Sequence, residues 1–262
     1  MQQAKAGTKQ LAPVLKALLE RLIDYAGMYP PAGLSLEETL ANYNQYRQSD
    51  YAWMLNSLVI GASELDRVPA SLDGSLAVLA ESDESRAATL ETKKIVAAER
   101  PVYCEVPLES MHELERIKQS GCYAKIRTGG VKPEAIPAPA SVSSFILACA
   151  DLRLPFKATA GLHHPVRAEH ALTYEPVALR AVMHGFLNIL MASSFAWHGE
   201  RDIEVIIGET DPSAFAFDDK AHWRGKSLDA KQIREARKNF IHSIGSCSFE
   251  EPVTELQALG LL

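Results

Sequence analysis

Cys122-Tyr-Ala-Lys-Ile126, then a helical pattern over Ser141–Leu152, then Pro155-Phe-Lys-Ala-Thr159: this order reads as strand, helix, strand. Two short apolar runs joined by a helix of that length form a βαβ unit, whose strands lie parallel. Working outward, similar runs recur at Ser57-Leu-Val-Ile-Gly61, Ser75-Leu-Ala-Val-Leu-Ala80 and Val102-Tyr-Cys-Glu-Val106. Further ones stand at Ile203-Glu-Val-Ile-Ile207 and, more weakly, at Ile241-His-Ser-Ile-Gly245. Helical patterns over Ser85–Arg100, Ser110–Ser120, Pro176–Trp197 and Ala230–Phe240 separate them. No GxGxxG follows the first run, which removes the fingerprint of a dinucleotide-binding sheet. The expectation is a single (β/α) barrel of the TIM type over residues 1–262. With seven strands in view, it is incomplete or distorted.

Residues 1–56 read as an N-terminal helical segment packed on that barrel. Leu11–Ala26 has helical apolar spacing, and Ser35 with Glu38 forms a capping box for a second helix. Between them Asp24-Tyr-Ala-Gly-Met-Tyr-Pro-Pro31 is a polar and aromatic turn suited to closing one end of the barrel.

Length and composition fit this architecture. The chain has 262 residues, 47% hydrophobic and 23% charged, which excludes a disordered or fibrous protein. Its 33 acidic and 27 basic residues give a net charge of −6, so no broad basic surface awaits nucleic acid. Lys5 and Lys9 interrupt an N-terminus with no continuous apolar run, and no stretch reads as a membrane span. Cys104, Cys122, Cys149 and Cys247 show no CxxC spacing and read as buried free thiols. A cytoplasmic protein without membrane or nucleic-acid partners is expected, with homo-oligomerisation left open.

The strands contain charges where a parallel sheet normally holds only Val, Ile and Leu. Side chains alternate faces, so Tyr123, Lys125 and Arg127 share one side and Cys122, Ala124 and Ile126 the other. The apolar set suits the helical layer, which turns the charged set into the barrel. Tyr103 with Glu105, and Lys157 with Thr159, follow the same logic. Inward charges near the C-terminal ends of successive strands mark the place where barrel enzymes carry their active sites. A purely structural ion-pair network of Glu105 with Lys125 or Arg127 is the alternative.

The loops beyond these strands add chemistry. Thr128, Gly129 and Gly130 follow one strand, where backbone N–H groups and Arg127 can close on a carboxylate or phosphate. Gly161 and the pair His163 and His164 follow the next. Adjacent histidines on an extended segment point opposite ways, so one at most enters a given site. No cofactor is expected. A divalent metal stays open, and it would draw on Glu81, Glu105 or Glu209 from other strand ends. Lys125 and Lys157 lie one βα unit apart, so their ammonium groups can approach and depress a lysine pKa, freeing an amine for attack on a carbonyl. Glu105 then moves the proton, assisted by His163 or His164, while Thr159, Gly161 and Glu209 line the substrate side.

Ala124-Lys-Ile-Arg-Thr-Gly-Gly130 and Phe156-Lys-Ala-Thr-Ala-Gly161 resemble the paired lysine strands of class I aldolases of the deoxyribose-phosphate aldolase type. The resemblance covers about 40 residues. It implies a lyase in which one lysine, Lys157 or Lys125, forms a Schiff base while the other tunes it. Arg127 and the His163–His164 pair lie outside the family pattern. Lys157-Ala-Thr-Ala-Gly-Leu162 is also similar to a basic segment of pyridine-carboxylate phosphoribosyltransferases. Three functions follow from these residues: a Schiff-base lyase on a small anionic carbonyl compound, a metal-assisted or phosphoribosyl-type transferase, and a non-catalytic binder of an acidic metabolite.

Overall fold

A computed structural model describes residues 11–262; Lys5 and Lys9 lie outside the described residues. Eight parallel strands close into one barrel. In chain order they are β1 (Ile23–Tyr25), β2 (Leu55–Gly61), β3 (Leu76–Leu79), β4 (Thr89–Thr92), β5 (Val102–Glu105), β6 (Tyr123–Arg127), β7 (Phe156–Thr159) and Ile241–Ser246. The barrel is therefore complete. Its irregularity lies in the outer layer, where 3-10 turns at Ala62–Arg67 and Ala70–Ser75 join β2 to β3.

The helices are α1 (Pro13–Leu19), α2 (Leu36–Tyr46), α3 (Leu114–Gln119) and α4 (Pro139–Leu152), followed by α5 (Phe186–Trp197). Between β7 and the closing strand the chain also forms an antiparallel hairpin, β8 (Ala168–Ala171) with β9 (Arg180–Met183). A short helix, α6 (Glu204–Ile207), comes next. A three-stranded sheet follows, made of β10 (Phe215–Phe217), β11 (Lys220–Trp223) and β12 (Lys226–Asp229). Helix α7 (Ala230–Asn239) leads into β13 (Ile241–Ser246), and α8 (Glu250–Ala258) ends the described chain.

Residues 1–56 are not a helical appendage alone, because they supply the first barrel strand. Helix α1 stops at Leu19, Arg21 turns the backbone to φ +46°, and Leu22–Tyr25 are all buried. Four consecutive buried residues are the mark of a strand covered on both faces, whereas a helix buries one stripe. The expected box at Ser35 is present: Ser35 Oγ accepts from the Glu38 N–H at 3.2 Å, and Glu38 accepts from the Ser35 N–H at 3.0 Å.

Three other expectations change. The span 85–100, expected as a helix, contains β4. The span 176–197 divides into β9 and α5, separated at Gly185, where a Cβ would stand 2.5 Å from the Pro165 carbonyl oxygen. Ile203–Ile207, expected as a strand, is helical: Ile203, Ile206 and Ile207 are buried while Val205 is exposed, a spacing of three and four rather than two. One segment, 133–152, has the length and apolarity to cross a membrane, but its helical part, α4, buries Val142, Phe145, Ile146 and Cys149 in the core. All four cysteines are free and buried.

Candidate active site

Register brings the inward charges together. Glu105 on β5 is level with Lys125 on β6, and Lys125 with Lys157 on β7. Each ammonium is held by two carboxylates. Lys157 Nζ donates to Asp24 Oδ2 and Glu91 Oε1, both at 2.5 Å. Lys125 Nζ lies 3.0 Å from Glu91 Oε2 and 2.9 Å from Glu105 Oε2. Glu91 thus bridges the two lysines through its two oxygens. Asp24 is fixed in turn by the Ser243 hydroxyl at 2.6 Å and the Asn56 amide at 2.6 Å. Below them the Tyr103 ring lies 5.5 Å from Lys157 Nζ, and its hydroxyl pairs with His242 Nδ1 at 2.8 Å.

Asp24 and Glu91 are functional residues that sequence reasoning missed. Asp24 is a single acid in an apolar run, Leu22-Ile-Asp-Tyr25, the same signal that exposed Lys125 and Lys157, whereas Glu91 stands between Leu90 and Thr92 with Lys93 and Lys94 just beyond. Their strands are three and four residues long, inside windows whose charge density imitates a helix or turn.

The expectation that two lysines depress one another fails for Lys157. Burial alone opposes its charge, but the Asp24 and Glu91 carboxylates outweigh burial and hold the ammonium above the ordinary lysine range. Glu91 answers in the opposite sense. Burial pushes its carboxyl up, yet Lys157 and Lys125 bring it down to about 2. Lys157 is a fixed cation, and Glu91 a fixed anion.

Above this network, at the C-terminal ends of the strands, lies a cavity of about 240 Å³. Lys125 and Glu91 form part of its wall; Lys157, only 1% exposed, sits behind them. Arg127, Thr159, Gly130, Gly161 and His163 also reach it. Arg127 has no ion-pair partner among the described residues, although the network beneath it is fully paired. The turn after β1 closes one side through Tyr29, Pro30 and Pro31, and Leu172 and Met183 of the hairpin region close another. Burial first, then the Glu91 and Glu64 charges, push the Tyr29 phenol up to about 12, so its hydroxyl stays protonated.

The remaining expected residues divide. Thr128 ties the loops after β6 and β7, its hydroxyl donating to the Ala160 carbonyl at 2.9 Å. Gly129 fits against that loop, where a Cβ would lie 3.1 Å from both the Ala160 carbonyl oxygen and Gly161 Cα. These two residues shape the cavity without lining it. His163 faces the cavity and His164 turns away to Glu255 Oε1 at 2.6 Å. The Ser246 hydroxyl donates to the Ser248 carbonyl at 2.6 Å, so at 3.0 Å it must accept from His163 Nδ1–H. That tautomer leaves Nε2 as an acceptor, with the Cys247 thiol 3.9 Å away. Burial first, then His164 and His170, lower the His163 pKa to about 4, which keeps the ring neutral.

Glu209 does not belong to the site. Because Ile203–Ile207 is a helix outside the barrel, Glu209 follows it and pairs with Arg224 at 2.7 Å. Nor do the carboxylates expected to complete a metal site face the histidines: Glu81 pairs with Lys94, and Glu105 with Lys125.

The arrangement offers one cavity-facing amine, an unpaired guanidinium two residues further along the same strand, a neutral phenol and a neutral imidazole. A comparison of the chain with protein-family models and with curated proteins returns no match, so the geometry alone carries the functional reading.

Proposed function

We propose that the protein is a lyase of the aldolase type, acting on a small carbonyl compound that carries a carboxylate or phosphate, with Lys125 as the Schiff-base amine. The observation that carries this reading is the division of labour between the lysines: both share Glu91, but only Lys125 borders the cavity. Lys157, buried behind the cavity wall at 1% exposure, is the neighbouring cation rather than the nucleophile. This supports Lys125 for the role that the sequence left open between the two lysines.

The ammonium of Lys125 first gives a proton to Glu105, the neighbouring carboxylate that binds no second lysine. Glu91, shared by two cations, is the weaker base. The neutral amine then adds to the carbonyl carbon, whose oxygen takes the proton back from Glu105 and leaves as water. The resulting iminium accepts the electron pair of the Cα–Cβ bond as the β-hydroxyl gives its proton to a carboxylate and departs as a carbonyl fragment. Protonation of the enamine at Cα, followed by hydrolysis, frees Lys125. The Tyr29 phenol and the neutral His163 Nε2 are placed to donate to and accept from substrate hydroxyls. Arg127 matches the anionic end, because a guanidinium pairs with a carboxylate or phosphate through two parallel hydrogen bonds. No resident cofactor takes part in these steps. Four free cysteines accord with a reducing, cytoplasmic setting.

Borohydride reduction in the presence of small keto acids and phosphorylated aldehydes tests the reading. The expected product is a covalent adduct that peptide mass spectrometry places on Lys125. Ligand-induced thermal stabilisation without any lysine adduct, across the whole panel, would replace the lyase by a binder of acidic metabolites.

A further inference from the structure

We propose that His164, His170 and Glu255 form a binding site for one divalent transition-metal ion, with zinc as the representative ion, which clips the β8–β9 hairpin onto the last helix. The three side chains come from three separate parts of the chain: the loop after β7, strand β8 and helix α8. One donor atom from each lies within 4.8 Å of the other two. Tetrahedral zinc, with bonds near 2.0–2.1 Å, needs donors roughly 3.3 Å apart, so modest side-chain rotation brings the set to bonding distance.

A second observation points to an ion rather than to a simple ion pair. His164 Nδ1 meets Glu255 Oε1 at 2.6 Å, and that contact satisfies those two atoms. His170 is drawn into the same place, its ring stacked on His164 with centroids 3.4 Å apart and planes 5° from parallel. Its Nε2 is buried and has no hydrogen-bond partner among the described residues. A buried polar atom left without a partner costs free energy comparable to a lost hydrogen bond. An ion shared with His164 and Glu255 would remove that cost. Glu251, one helical turn before Glu255, stands 3.7 Å from His163 Nδ1 and accepts from the Tyr174 hydroxyl at 2.9 Å, which puts a further carboxylate beside the cluster. Two imidazoles with one or two carboxylates make a nitrogen and oxygen donor set of the kind zinc, cobalt and nickel occupy, whereas magnesium and calcium favour oxygen alone.

The site is separate from the Lys125 cavity and does not depend on the Schiff-base reading. None of its three ligands lines that cavity, but the hairpin region it would fasten contributes Leu172 and Met183 to the cavity wall. Its role is thus to hold the outer wall of the cavity against α8.

The test uses the full chain without a purification tag, stripped with a chelator and titrated with zinc sulfate alone. The expected result is one equivalent bound. At a hundredfold excess over Kd the melting temperature should rise by about 6 °C, with slowed hydrogen exchange over residues 168–183. His170→Ala and Glu255→Gln should each weaken binding about 100-fold or more. Cobalt(II) loading of the unaltered protein gives a readout that needs no variant: visible d–d bands without a thiolate charge-transfer band. No binding by the wild-type chain, or unchanged affinity in both variants, overturns the proposal. So does a thiolate band, which would put the ion on Cys247, 3.7 Å from His163 Nδ1.

Discussion

A Lys157→Met variant is expected to lose about 3–5 kcal/mol of folding stability, the usual cost of removing one partner from a buried ion pair. Asp24 would remain in the barrel interior without its cation and Glu91 with Lys125 alone, since both accept from Lys157 at 2.5 Å. For a chain of this size the melting temperature falls by roughly 10 °C. The acid limb identifies the cause. In the wild type the Glu91 pKa is depressed from 4.5 to about 2, so its contribution is fully present above pH 4.5 and is lost as pH falls towards 2. That contribution is about 3 kcal/mol, at 1.36 kcal/mol per pH unit. Without Lys157, Glu91 keeps only the Lys125 ammonium against burial, so its carboxyl is held down less and the gap between variant and wild type should close on acidification. Adding Asp24→Asn to Lys157→Met should restore part of the loss, because an amide in the barrel costs less than a carboxylate with no cation beside it. Urea denaturation of the three proteins from pH 7 to about pH 2 measures all of this. A single variant within 1 kcal/mol of the wild type at pH 7 would mean that the interior is wetter than the described network implies.

How much of this network was legible in the sequence depended on what surrounds each strand. Lys125 and Lys157 interrupt apolar runs set apart from the helical pattern between them, so the period of two showed and their inward direction could be read directly. Glu105 gained its meaning in the same way. Asp24 and Glu91 carry equal weight in the site but sit on strands of three and four residues, each beginning where a helical pattern was equally good. A barrel strand this short is specified by its neighbours' hydrogen bonds and by burial, neither of which a local window contains. The segment between β7 and β13 was harder still. Ile203, Ile206 and Ile207 form a helical stripe only when Val205 is known to be exposed, and the error there carried Glu209 into the expected site. The loop glycines show the converse. Their position after two strands was evident, but which faced the cavity depended on the contact between Gly129 and Gly161, which links two loops across the barrel rim.

The largest functional effect is expected at Lys125, where Arg is the informative replacement. A guanidinium keeps a positive charge between Glu91 and Glu105, so the ion pairs at 3.0 and 2.9 Å have a successor and the barrel should keep most of its stability. It cannot supply a neutral amine near neutral pH, because its pKa lies above about 12. Lys125→Arg should therefore abolish the borohydride-trapped adduct and lower turnover on the order of 10⁴-fold. Anionic ligands should still raise the melting temperature, since Arg127 is untouched and the wall position keeps a cation. A group that only neutralises Glu91 would behave differently: Arg would substitute for it and activity would survive within about tenfold. Adduct yield and ligand-induced melting shift, measured on the same Lys125→Arg preparation, separate the two roles. Persistence of the adduct in that variant would move the nucleophile to another lysine and refute the assignment; an adduct on Lys157 would also refute its reading as an ammonium fixed by Asp24 and Glu91.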